Sequence, residues 1–150
     1  MRALLQRVSE ANVSISNNRV AEINTGLLIL VGIEEEDSKE DIPWLCKKIV
    51  QLRIFSDNEG KMNLDIKDVN GDIIVVSQFT LHAKTKKGNR PSYIKAARPE
   101  VAIPLYEEFI NELGISLEKE IQSGEFGADM KVGLVNDGPV TIWLDTKNKE

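Results

Sequence analysis

Three stretches of this sequence bring together residue types that could do chemistry. The first is Ser77-Gln78-Phe79-Thr80-Leu81, which places two hydroxyls, a carboxamide and an aromatic ring at the end of an apolar run. Such groups can hydrogen-bond to or stack on a substrate, and strand ends that break into loops are favoured site positions. The same residues also read as a strand end that merely satisfies its own side chains. The second stretch is Asn136-Asp137-Gly138-Pro139-Val140-Thr141. A turn between two strands accounts for it. Its X-Pro bond is also of the one kind for which cis costs only about 0.5–1 kcal/mol. A cis Gly-Pro held between strands would be a stiff element presenting backbone carbonyls outward, suited to fixed steric selection. The third stretch is electrostatic. From Ile73 to Pro99 there is no acid, yet Lys84, Lys86, Lys87, Arg90, Lys95 and Arg98 all fall there. A solvated basic loop is the plain reading; docking of a few nucleic-acid phosphates is the sharper one.

Other chemistries are excluded by what is missing. The single cysteine, Cys46, rules out an internal disulfide or a cysteine-built metal site, and the single histidine, His82, rules out a polyhistidine site. No GxGxxG, P-loop or HExxH is present. Cys46 follows Leu45 in an amphipathic stretch and reads as a packed, inert thiol. The acids Glu34 to Asp37 and Glu107-Glu108 read as solvated surface. Ser77 and His82 on one strand would point to opposite faces, so a hydrolase triad is not expected. With 24 acids against 19 bases the net charge is −5, which excludes a wholly basic coat but not a local patch. The acidic remainder favours a small footprint, such as a single-stranded end, over long duplex.

The elements that must position these residues fit one domain, residues 1–150. No linker, repeat or low-complexity segment interrupts it. Met1 to Gln6 turns polar too soon for a signal peptide, and no apolar run nears the roughly 20 residues of a membrane span. A cytosolic location is expected. Ala3–Ile15 and Arg19–Ile23 read as strands around Asn17-Asn18, and Gly26–Ile33 as a strand covered on both faces. Ile42, Leu45, Ile49 and Leu52 share a helical face. That helix starts either at Asp37 or Ser38, with Pro43 awkwardly inside, or nearer Asp41. Arg53–Ser56 is extended, Asn70-Gly71 a hairpin signal and Ile73–Leu81 a second buried strand. Ala83–Arg98 is a basic loop. Pro99–Leu113 is a helix that Gly114 should end, followed by strands at Leu117–Gln122, Met130–Asn136 and Val140–Asp145. The fold class is mixed α/β (α+β), with packed sheets and two helices in the order ββ(β)αββαβββ, not a doubly wound repeat.

At these residues the chain resembles the D-aminoacyl-tRNA deacylases. The Ser77–Leu81 and Asn136–Thr141 segments are similar to that family's two signature motifs. Leu5-Gln6-Arg7-Val8, Arg53-Ile54-Phe55 with Gly60-Lys61-Met62-Asn63, Arg90-Pro91-Ser92-Tyr93 and Phe126-Gly127-Ala128-Asp129-Met130 follow in family order. One departure is Tyr93, where the family pattern has Phe. The resemblance implies a hydrolase of the ester between a D-amino acid and the 3′ adenosine of tRNA, and a homodimer. It implies no metal and no organic cofactor; that no membrane partner is expected follows from the missing apolar span. It implies that Ser77, Gln78 and Thr80 serve catalysis, with Gln78 and nearby backbone N–H groups facing the oxyanion. Phe79, Phe126 and Met130 would bind substrate as walls or stack on the terminal adenine. Gly138 and Pro139 would enter the partner's pocket as a cis pair, grip the α-amino group and exclude an L side chain. Glycyl-tRNA, which lacks a side chain, would then be admitted. Lys84, Lys86, Lys87 and Arg90 would hold the phosphates of the tRNA end. The alternatives are a non-catalytic nucleic-acid-binding or dimerisation module of the same fold, and an acyl hydrolase of small substrates.

Overall fold

A computed structural model describes residues 1–150. The frame is a six-stranded sheet built around one long strand, β1 (Arg2–Ile15). Along one edge β1 pairs antiparallel with β3 (Gly26–Gly32) through Arg2–Val8, and with β2 (Asn18–Ile23) through Ala11–Ile15. Its other edge is covered by β8 (Met130–Asp145). Helix α1 (Asp41–Gln51) and the two-stranded ribbon β4 (Phe55–Ser56) and β5 (Met62–Leu64) then cross over to β6 (Asp72–Ser77), parallel to β3. After helix α2 (Pro99–Leu117), β7 (Gln122–Ser123) lies parallel to β6. The Gln122 carboxamide bonds both the N–H and the C=O of Glu22 at 2.7 Å, tying β7 to β2 and nearly closing the sheet.

Alternation along β3 and β6 produces two cores. Leu27, Ile29, Val31, Ile73 and Val75 face the helices and join a 24-residue cluster with Leu45, Ile49, Tyr106, Phe109 and Leu113. Leu28, Ile74 and Val76 point the other way, into the curl of the sheet, and join Val8, Val13, Ala21 and Ile23. Strands buried on both faces need apolar residues at nearly every position, which is why these two segments lack alternation.

Several expectations are corrected. Of the two starts left open for helix α1, the structure has the one at Asp41, so Pro43 falls in the first turn, where its missing N–H costs nothing. Asp37 is not solvated. It is buried, its carboxylate 2.6 Å from the Met1 ammonium, which also reaches Thr146 Oγ1 at 2.5 Å. Helix α2 passes Gly114 because Leu117 gains burial beside Leu113. Glu118, at φ 62°, ends it instead, and Lys119 N–H caps the Gly114 carbonyl at 3.2 Å. Of the expected strand Leu117–Gln122, only Gln122 is extended, as the first residue of β7. Strand β6 stops at Ser77, and Phe79–His82 coils into a 3₁₀ turn. The segments Met130–Asn136 and Val140–Asp145 are one strand, and Asn136–Val140 is no turn between strands. Both segments pair with the same partner, β1.

Candidate active site

Where the parallel strands β3 and β6 end, a cavity of about 320 Å³ opens between the sheet, α2 and the Phe126–Val132 segment. Ser77, Gln78 and Phe79 form its floor and lip, Phe126 and Met130 its far wall, and Val31, Ile33 and Ala102 its base. Five of the residues singled out in the sequence thus meet in one place, although Phe126 and Met130 lie far from Ser77 along the chain. The 3₁₀ turn explains the shape. By ending β6 at Ser77, it swings Phe79 outward, where the ring is 55% exposed. The first N–H groups of such a turn, here those of Phe79 and Thr80, have no intrahelical acceptor. They are fixed donors beside the cavity.

Thr80 stands behind the lip. Its hydroxyl accepts a hydrogen bond from Gln78 Nε2 at 2.6 Å. No imidazole, carboxylate or amine bonds to that hydroxyl, so it lacks the base that a nucleophile requires. His82 is not that base. It is 1% exposed, neither ring nitrogen finds a hydrogen-bond partner, and its nearest carboxylate, Glu34, is 3.8 Å away. Burial holds the imidazole pKa below its ordinary value, so the ring is neutral. The triad is absent as expected, but for a different reason: Ser77 and His82 do not share a strand. Burial, with Glu112 adding to it, pushes the Cys46 thiol up to about 12, which makes it inert.

Tyr106 was missed in the sequence. Its ring lines the cavity, meets Phe126 edge-on at 5.7 Å, and its hydroxyl donates to the Val75 carbonyl at 3.1 Å. Burial is the main cause that pushes its pKa up to about 12, so it remains a donor. The available signal was its place on the apolar face of α2, four residues after Ala102: a buried phenol there must find an acceptor.

Gly138 and Pro139 do not line this cavity. Gln6 pairs with Thr141 and Val8 with Asn136, so Asp137 to Val140 bulge out opposite the single residue Arg7. Two devices hold the bulge. From within, Asn136 Oδ1 accepts the Val140 N–H at 2.8 Å, and Asn136 Nδ2 donates to Thr141 Oγ1 at 3.0 Å. From beneath, Arg7 Nε donates to the Asp137 carbonyl and Arg7 Nη1 to the Ile54 carbonyl, each at 2.7 Å. Gly138 has φ 143°, and a Cβ there would crowd Val140 and Arg7 Nη2, so glycine is required. The Gly138–Pro139 bond is cis, and both residues are exposed on the protomer surface. Arg7, in the sequence only one member of the Leu5–Val8 motif, is thus the strut of the bulge. A lone arginine among inward-facing apolar positions of a strand was its signal.

The basic loop runs outward from the 3₁₀ turn. A bridge between Lys84 and Ser92 folds it on itself, and Lys84, Lys86, Lys87 and Arg90 are all exposed. No ion pair neutralises any of the four. Tyr93 turns back to meet Phe79 edge-to-face at 5.0 Å, joining the loop to the cavity lip. No group of three or more metal-ligating side chains gathers in the protein, and no helix is long and apolar enough to cross a membrane.

The chain is similar to known proteins along nearly its whole length. A family model described as D-Tyr-tRNA(Tyr) deacylase matches residues 4–145. A protein of Bacteroides fragilis named D-aminoacyl-tRNA deacylase is 65% identical over 150 residues, all of both chains. One of the same name from Flavobacterium psychrophilum is 63% identical, again over the full length of both. Among solved structures, one named c-Myc DNA Unwinding Element Binding Protein superposes with a TM-score of 0.90 at 38% identity, covering 97% of this chain and 98% of its own. Another, described as a probable eukaryotic D-amino acid tRNA deacylase, has a TM-score of 0.81 at 17% identity over 95% and 97%, a likeness of fold.

Proposed function

The chain belongs to the D-Tyr-tRNA(Tyr) deacylase family, and on that membership we propose that it hydrolyses the ester joining a D-amino acid to the 3′ end of tRNA. The observation that carries the proposal is the match along the whole chain to proteins named for that activity. The cavity supports it, because an activated ester needs position and charge stabilisation more than a strong base. The aminoacyl group sits in the cavity against Phe79, Phe126 and Met130. The Phe79 and Thr80 N–H groups, with the free hydrogen of the Gln78 amide, face the developing oxyanion. Ser77 helps to hold the substrate at the strand end. Water attacks, assisted by the 2′-hydroxyl of the substrate's own ribose. Lys84, Lys86, Lys87 and Arg90 take the phosphates of the acceptor end.

Selection of handedness falls to Gly138 and Pro139 acting from a second copy of the chain. Their bulge is exposed, held by hydrogen bonds from Arg7 and Asn136, and not part of the lining of its own cavity. Strand β8 pairs with β1 alone, and Leu134, Val135 and Trp143 are exposed on it. Such an edge, with apolar side chains exposed along it, favours a partner copy. Carbonyls of the bulge would grip the α-amino group, and the space behind would close to an L side chain. Glycyl-tRNA should then be cleaved at raised enzyme concentration, since nothing in it meets the closed side.

The test is to incubate the protein with D-tyrosyl-tRNA and with L-tyrosyl-tRNA and follow release of free tRNA. Cleavage of the D form alone is expected; equal inertness toward both would overturn the proposal. A non-catalytic nucleic-acid-binding reading has one observation behind it, the DNA-binding name of the 38% identical structure, and that inert outcome would favour it. Thr80→Ala separates two chemistries within the deacylase reading. Because Thr80 lacks a base, the variant should keep its rate within about threefold. Abolished turnover with an intact fold would instead make Thr80 the nucleophile.

A further inference from the structure

Beside the cavity, beyond the Phe79–Tyr93 pair, lies an open groove lined by Tyr93, Ile94, Arg98, Glu100 and Val101. The deacylase reading does not use it. Its composition is unusual for idle surface. Ile94 is 79% exposed and Tyr93 38%, an apolar floor kept in solvent. At the rim stand a guanidinium, Arg98, and a carboxylate, Glu100, both exposed. Glu35 also reaches the groove, but its carboxylate accepts the Arg98 N–H at 2.9 Å and serves the entry to α2. Tyr93 contacts Phe79, so the groove and the cavity share one aromatic wall.

An apolar platform with one donor and one acceptor at its rim suits a nucleobase. The pairing admits a base that carries an exocyclic amine beside a ring acceptor, as cytosine and adenine do. A carboxylate accepts from the exocyclic amine of cytosine, and a guanidinium donates to the ring acceptors beside it. Uracil presents no such amine. The loop cations Lys84, Lys86, Lys87, Arg90 and Lys95 supply charge for a backbone running past. The nucleotide before the terminal adenosine of tRNA is a cytidine. With the adenosine at the cavity, that base lies one step away, on the far side of the shared wall. Resting on the deacylase reading, we propose that the groove seats the penultimate cytidine of the substrate's single-stranded 3′ end. The base stacks on Tyr93 and Ile94, with its amine toward Glu100 and its ring acceptors toward Arg98.

The test uses RNA hairpins ending in CCA, uncharged for binding by fluorescence anisotropy and charged with D-tyrosine for deacylation. A hairpin with an abasic penultimate residue should bind about tenfold more weakly, the size expected for one stacked base. A penultimate uridine should fall between the two. Ile94→Asp should lose the same factor on the natural hairpin and show no preference between natural and abasic ends. A second variant, Glu100→Ala, should bind the cytidine and uridine hairpins more nearly equally than the wild type does. Equal wild-type binding of natural and abasic hairpins overturns the proposal, as does an Ile94→Asp protein that still discriminates between them. The deacylase reading fails separately: a preference in binding with no D-ester cleavage removes the activity and leaves the groove.

Discussion

Arg7→Ala is expected to lower kcat/KM for D-aminoacyl-tRNA by at least about 100-fold and to narrow the gap between D and L substrates. The Arg7 side chain is only 10% exposed and ties the bulge to the neighbouring Ile54 backbone through two 2.7 Å bonds. A charged donor makes such bonds worth about 1.5–3 kcal/mol each, and removal strands two carbonyls. Asn136 would then be the only side chain pinning Asp137 to Val140. On the proposed function the bulge is the selector, and a selector displaced by 1 Å loses on the order of 100-fold, because reaction needs near-attack geometry. Stability should also fall, by about 2–4 kcal/mol. Arg7→Lys separates the two effects. Lysine keeps the charge, but its single nitrogen does not reproduce the planar fork that spans both carbonyls. It should melt closer to the wild type and still lose most activity. Single-turnover deacylation of D- and L-tyrosyl-tRNA beside a thermal melt gives both readouts. A folded Arg7→Ala protein within threefold of wild type, with its D-to-L ratio unchanged, would remove Arg7 from the selecting machinery.

Gly26→Ala should do more harm to the fold than any other single methyl group. Gly26 begins β3, paired with Val8 of β1 on one side and with Asp72 of β6 on the other. A Cβ at this position would overlap the Asp72 carbonyl, a backbone group. Neither strand can yield, since Asp72 N–H is bonded to the Thr25 carbonyl at 3.1 Å and β1 holds the opposite edge. Overpacking of this kind should cost about 4 kcal/mol or more, which for a chain of this size lowers Tm by about 8–16 °C. The requirement is for space, unlike that of Gly138, where φ itself excludes other residues. A calorimetric melt within about 3 °C of wild type would show that the two backbones separate freely.

Much of the fold is legible in local pattern. Strands β1, β2 and β3 and both helices lie where periodicity puts them, because an amphipathic face or an apolar run is written in consecutive residues. Boundaries fail where a contact from elsewhere decides. Gly114 has the properties of a helix stop, yet burial of Leu117 carries α2 one turn further. Ser77–Leu81 continues an apolar run, yet the backbone coils after Ser77. Asp37 sits in an acidic cluster, yet it is buried against the Met1 ammonium.

The site divides the same way. Ser77, Gln78, Phe79 and Thr80, the basic loop and the Gly-Pro pair are visible in the sequence, since each is a compact motif with unusual chemistry. Phe126 and Met130 enter the reading only through the family resemblance, while that Tyr106 completes the wall and that Arg7 braces a bulge are facts of the tertiary structure alone. Arg7 and Asp137 are 130 positions apart and meet only because β8 lies along β1. Local residue types set the periodicity and chemistry of each segment. Which segments touch depends on burying apolar faces together, a choice made by the whole chain at once.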